Sequence, residues 1–312
     1  MNKELEKELI ERVKKDPMSL KDIEEQTEAI CLAAVKLNES AMMYVKDQTE
    51  KICLSAVKLN GHALAYVKDQ TEKICLEAIK QDSSTLKYVK NQTEEMCLEA
   101  VKENGNTLIY VNDQTEEVCL EAVKQNGNAI YYVKNQTQNI CLTAVKQDGN
   151  ALKHIVDQTE DICLEAVKQN GNALFYVRKQ TEAICLEAVK QNGYAIRHVN
   201  DQTETVCLES FKENRKALEF IKNKTDDICK EALKNNFNDS IYLINIKKST
   251  AMIVLEASLQ HRKNKAILTE IINKFSKDKE VVYFYTKHNL WKYVDFYKVK
   301  FNDKLSQYGM IL

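Results

Sequence analysis

Proline occurs once and glycine seven times in 312 residues. That scarcity excludes a β-rich chain built on many tight turns, and it excludes Pro/Gly-rich linkers. Charge of one sign is not in excess either: 45 basic residues stand against 46 acidic ones, so no global field draws nucleic acid or an anionic membrane. No stretch approaches the roughly 18 consecutive apolar residues of a membrane span. The opening MNKELEKELIERVKK is polar and helix-forming, not a charged start leading into an apolar run. Together these absences predict a helical, soluble, unexported protein in the cytoplasm. A glycine-rich phosphate loop, a nucleophile elbow, a CxxC pair and a His/Glu motif are all missing, and the five histidines occupy unrelated places. The expectation is therefore a non-catalytic chain with no cofactor and no metal.

What is there is a repeat. YVKDQTEKICLEAIKQD at 66–82 returns as YVKNQTEEMCLEAVKEN at 88–104 and YVNDQTEEVCLEAVKQN at 110–126. Ten copies with a 22-residue period are anchored by Thr27, Thr49, Thr71 and so on to Thr225. Asp69-Gln-Thr-Glu72 has the form of a capping box, so a helix starts there, with either Asp69 or the invariant Thr71 as its cap. Ile74, Cys75, Ala78 and Ile79 then share one face at 3.6 residues per turn. The helix reaches a fixed Asn or Asp, followed by glycine in six copies; both residue types tolerate a left-handed helix end, which predicts a C-cap and turn. A second, shorter helix follows, as in Ala63–Val67. About 22 residues cannot offset their chain entropy alone, so such hairpins must stack. The fold class is all-α: an α-solenoid of about eleven to thirteen helical hairpins.

Both ends read as degenerate copies. Leu9 and Val13 sit 22 residues before Cys31 and Val35, so residues 1–22 form an N-terminal capping repeat. Residues 23–245 hold the ten regular copies. Residues 246–312 are divergent repeats and a C-terminal cap, with Val254 in the cysteine column, an echo at Asp278–Val282 before Asn289, and an aromatic tail carrying Trp291.

The columns of the repeat are the candidate sites. All ten cysteines fall four residues after the anchoring threonines: Cys31, Cys53, Cys75, Cys97, Cys119, Cys141, Cys163, Cys185, Cys207 and Cys229. A thiol is a small, well-buried hydrophobe. Packed helices lie about 8–10 Å apart, whereas a disulfide needs Cα atoms within about 7 Å, so the column is read as core and not as a chain of cross-links. A second column is aromatic or imidazole (Tyr44 to Tyr132, His154, Tyr176, His198, Phe220, Tyr242), and a third is invariant lysine, Lys36 to Lys234. Rings and lysines together are what a nucleic-acid binder would use. The favoured reading is that the rings seal the joints between hairpins and that the lysines are neutralised by glutamates three residues earlier, as in Glu77/Lys80 and Glu99/Lys102. The column that refuses to repeat reads Met43, Ala65, Lys87, Ile109, Tyr131, Lys153, Phe175, Arg197, Glu219. A core site does not range over every chemical class, so this column is expected at the surface, either as contact residues for a partner or as drift at a free solvent site. Any active site would have to lie outside the regular copies, among His261, His288 and Trp291. The sequons at Asn91, Asn135 and Asn223 are by-products of the cap.

The ICLEAVKQNG core at 162–171, with its acidic cap and following Ala-Leu-x-Tyr-Val, resembles the helical-repeat family called domain of unknown function 4116, over roughly residues 23–245. The resemblance implies a repeat protein of giant-virus type acting inside an infected amoeba, and it transfers no functional residues. The expected partner is a protein or peptide, with nucleic acid unfavoured and no membrane contact.

Overall fold

The computed structural model describes residues 2–235, 248–260, 265–275 and 278–293. The expected aromatic Tyr242, His261 and the side chain of Trp291 lie outside the described residues, as does the expected boundary at 245–246. The fold is all-α, with about thirteen regularly spaced helix–turn units of about 22 residues and no strand among the described residues. It divides into two compact units, Met1–Gln169 and Asn170–Leu312. The first contains α1 (Lys3–Lys15), α2 (Glu28–Val35), α3 (Glu50–Leu59), α4 (Glu72–Gln81), α5 (Glu94–Glu103), α6 (Glu116–Gln125), α7 (Gln138–Gln147) and α8 (Glu160–Gln169). The second contains α9 (Glu182–Gln191), α10 (Glu204–Glu213), α11 (Asp226–Asn235), α12 (Lys248–Gln260), α13 (Lys265–Phe275) and α14 (Lys279–Lys287). Within each unit, successive helices pack side by side in solenoid fashion.

Threonine, not aspartate, starts the α-helix of each regular copy. Thr71 is extended at φ −76°, ψ 155°, and its side chain accepts from the N–H of Ile74. Glutamate is therefore at the first helical position and does not close a capping box. It turns to the next copy instead: Thr115 Oγ1 donates to Glu94 at 2.7 Å and Thr203 Oγ1 to Glu182 at 2.7 Å.

The second, shorter helix, read over Ala63–Val67 from the sequence, is a six-residue 3₁₀ helix, Gly61–Tyr66 in the second copy. The Asn–Gly turn is corrected with it. Asn60 is extended (φ −152°), and its side chain accepts from the N–H of His62, so it caps the start of the 3₁₀ helix while its own N–H closes on Ala56 O. Among the described non-glycine residues only Asn289 has a positive φ, at 52°. Glycine is required there for closeness: a Cβ on Gly61 would stand 2.6 Å from the carbonyl oxygen of Ala78, one copy on, and one on Gly127 would stand 2.6 Å from that of Ala144.

The core lies where the two helix types meet. Ile74, Cys75, Ala78 and Ile79 of α4 are at most 2% exposed, as is Leu64 of the preceding 3₁₀ helix. Removing such a large apolar side chain from water contributes roughly 1.5–3 kcal/mol, and the corresponding positions are buried in the nine copies anchored by Thr27 to Thr203. At the start, Val13 is buried and Leu9 half-buried on α1. In the last helices Val254 is buried in the cysteine column, and Tyr285 is buried with its hydroxyl donating to Leu268 O at 2.5 Å. Asp278 caps α14 by accepting from the N–H groups of Glu280 and Val281.

Candidate functional site: the ridge of 3₁₀ helices

The thiol column faces inward throughout. All ten cysteines are free and buried. Burial pushes the thiols of Cys31, Cys53, Cys97, Cys185 and Cys207 up to about 11, with neighbouring carboxylates adding to the effect. A thiol held protonated is a poor nucleophile and a poor metal ligand. Among the described residues no group of His, Cys, Asp or Glu is placed to hold a metal.

One further column holds each copy to the next, and sequence reasoning passed over it. Glutamine precedes the capping threonine in nine copies, Gln26 to Gln202. Gln114 Nε2 donates to Tyr132 O at 2.9 Å and, at 3.4 Å, to Leu108 O, while its Oε1 accepts from Lys134 N–H at 2.9 Å. Cys119 Sγ is 3.9 Å from that same oxygen. The glutamine thus ties the 3₁₀ helix that precedes it in the chain to the end of the one that follows and satisfies backbone groups that the short helices leave open. A fixed, uncharged polar residue at every helix entrance was the available signal. In the tenth copy Lys224 takes this place, donates to Ile221 O at 2.8 Å, and has its pKa lowered by desolvation.

The variable column stands on the outer face of the 3₁₀ helices. Tyr131 and Phe175 are each 65% exposed, Ile109 54% and Met43 47%; Lys87, Lys153, Arg197 and Glu219 are exposed as well. The column is nonetheless positioned. In the first unit the Tyr131 ring centroid lies 5.1 Å from that of Tyr132 and 5.0 Å from that of His154, edge-on to both. Lys87 Nζ lies 4.8 Å from the centroid of Tyr88 and 6.0 Å from that of Tyr110. In the second unit Phe175 lies between Tyr176 and His198 at 5.2 Å from each. Each of these variable side chains sits in a slot between its neighbour's ring and the ring of the following copy. The ring column itself, Tyr44 to Phe220, is half-buried to part-exposed, which fits its sealing role. His154 and His198 have their pKa values lowered by desolvation and by the adjacent Lys153 and Arg197.

The lysine column lies elsewhere. Lys80, Lys102 and Lys124 are near the C-terminal ends of α4, α5 and α6, whereas the rings end the 3₁₀ helices; the cation over the rings is Lys87, of the variable column. Rings and invariant lysines therefore do not form one groove. Neutralisation in place is also narrower than expected: Glu121–Lys124 (3.5 Å) and Glu209–Lys212 (3.4 Å) pair, whereas no ion pair joins Glu77 to Lys80 or Glu99 to Lys102. Long exposed side chains lose rotamer freedom on pairing and gain little. On the α-helical side an open depression of about 550 Å³ is lined by Glu50, Lys51, Leu54, Lys58 and Lys73. His288 is half-buried with its ring 4.4 Å from that of Phe284.

The fold and its surface define an all-α repeat protein with an exposed, variable column on its 3₁₀ helices. A family model described as domain of unknown function (DUF4116) matches residues 93–138, 137–181 and 159–204, so the central copies are similar to that repeat family. Each match spans about two periods of the repeat. No curated protein and no solved structure matches the chain. No described helix is long and apolar enough to cross a membrane.

Proposed function

We propose that this chain is a non-catalytic repeat scaffold that holds a protein or peptide partner on the ridge of 3₁₀ helices, at Met43, Lys87, Ile109, Tyr131, Lys153, Phe175, Arg197 and Glu219. The observation that carries the reading is the slot geometry: a column that varies from copy to copy is exposed, yet Lys87, Tyr131 and Phe175 in it are each held by rings on either side. A surface whose chemistry changes without disturbing the core, on rigid supports, suits the presentation of contact residues. The resemblance to the giant-virus repeat family supports a viral protein acting on a host or viral partner in the host cytoplasm, or packaged in the virion. The free, buried thiols suit a reducing compartment.

The test is a paired capture from infected cells, with wild type, Tyr131→Ser, Phe175→Ser and, as an α-side control, Glu117→Lys as bait. Partners lost with the two ridge variants and kept with Glu117→Lys are the expected result. An identical set captured by all four refutes the ridge.

A further inference from the structure

Charge is segregated between the two sides of the repeat, although the chain as a whole has a net charge of only −1. The five 3₁₀ helices from Gly61 to His154 read GHALAY, SSTLKY, GNTLIY, GNAIYY and GNALKH. They contain Lys87 and Lys153 and no carboxylate. The α-helices of the same stretch, α4 to α8, carry twelve carboxylates against six lysines. The acidic groups beside the ridge are largely engaged. Asp82 lies 3.5 Å from His62 and caps Ser84 N–H. Asp148 caps Asn150 N–H and accepts from Asn128 Nδ2 at 2.7 Å. In the links between Lys87 and Lys153, Asp113 is outnumbered by Lys90 and Lys134, whose ammonium groups rest on the carbonyls of Lys68 and Asn112.

From this arrangement we infer that the ridge of the first unit takes an acidic peptide with apolar side chains, its carboxylates reaching Lys87 and Lys153 and its apolar groups lying on Ile109 and Tyr131. This rests on the ridge reading above and names the chemistry of its partner. Two points support it. The order along the ridge is cation, aliphatic, aromatic, cation, so one segment meets charge at both ends and apolar surface between. The Lys87 ammonium is already held over two rings, so a carboxylate meets a positioned cation and little side-chain entropy remains to be lost. A basic segment would meet no carboxylate on these 3₁₀ helices and is drawn to the α-helical side instead.

The test is selection of a random 16-residue peptide library, displayed on phage, against the full chain, followed by fluorescence anisotropy on the enriched peptides. Expected are sequences that combine Asp or Glu with aliphatic or aromatic residues, weakened by added salt. Lys87→Glu/Lys153→Glu should lower their affinity by about tenfold or more with the melting temperature kept, and Lys87→Gln/Lys153→Gln should lower it less. Basic or uncharged enriched sequences that ignore both lysine variants yet are lost with Tyr131→Ser overturn the acidic partner and leave the ridge. Peptides indifferent to Tyr131→Ser and Ile109→Ser, or no enrichment at all, overturn both. Tighter binding of single-stranded oligothymidine than of any enriched peptide overturns the peptide assignment.

Discussion

Replacing Gln114 with leucine keeps side-chain volume and removes the clamp. Two well-formed bonds disappear, to Tyr132 O and from Lys134 N–H, both at 2.9 Å, together with the longer contact to Leu108 O. A net hydrogen bond contributes about 0.5–1.5 kcal/mol, and a buried group left unpaired adds a desolvation cost. Lys134 is exposed, so water restores part of its bond, and the expected loss is about 2–3 kcal/mol. Because the clamp joins adjacent copies, the loss falls on the coupling between repeats, so the unfolding transition should broaden as well as shift. The measurement is urea unfolding in reducing buffer, followed by circular dichroism, with hydrogen exchange at the Lys134 amide as a local readout. Gln125→Leu is the control: it removes the bond from Gly105 N–H at 2.7 Å and a weaker one to Glu103 O, and should cost about 1 kcal/mol. A loss below about 0.5 kcal/mol for Gln114→Leu, or one no larger than for Gln125→Leu, refutes the clamp.

Other outcomes follow from the same geometry. Gly127→Ala places a Cβ against Ala144 O and Gln147 Oε1; since Ser83 occupies the same column and is buried, the stack yields somewhat, and urea unfolding should show a loss of about 1–3 kcal/mol. The thiols of Cys31, Cys53, Cys97, Cys185 and Cys207 ionise in the unfolded chain near 8.5 but in the folded chain only near 11, so the unfolded state sheds protons first and stability falls as pH rises from about 8.5 towards 11. The slope is about 1.4 kcal/mol per pH unit for each thiol ionised only in the unfolded chain, readable from urea midpoints across that range. For His154 and His198 the folded pKa is depressed, so their contribution is present above the unfolded value and is lost as pH falls through the folded one; Lys153→Ala should raise the His154 pKa in an NMR titration. Tyr131→Ser loses edge contacts to two rings and should cost no more than about 1.5 kcal/mol in thermal unfolding, far less than a core truncation.

The α-helix of each copy was legible in the sequence because its cause is local: Ile74, Cys75, Ala78 and Ile79 mark one face, and that face is buried. The exposure of Tyr131 and Phe175 was legible for the opposite reason, since a column that accepts lysine, aromatic and glutamate side chains is not packed. The Asn–Gly turn misled because its requirement is tertiary. Gly61 is excluded from having a Cβ by Ala78 in the next copy, and no local pattern reports that approach; Glu39, Ser83 and Arg215 in the glycine column were the clue that a left-handed φ was not what the site demands. The 3₁₀ form of the second helix escaped for a related reason. Six residues from Gly61 to Tyr66 are too few for periodicity to separate i+3 from i+4 bonding, and it is Gln48 and Gln70 that hold the helix end, accepting from Lys68 N–H and donating to Leu64 O.

The claim that the partner lies on the 3₁₀ ridge is tested most directly by placing a photo-cross-linking amino acid at position 131 or, separately, at position 117 on the α-helical side of the same copy, in the full chain. Cross-links to a selected peptide from position 131 and none from position 117 are the predicted result; cross-links from position 117 alone would contradict the account.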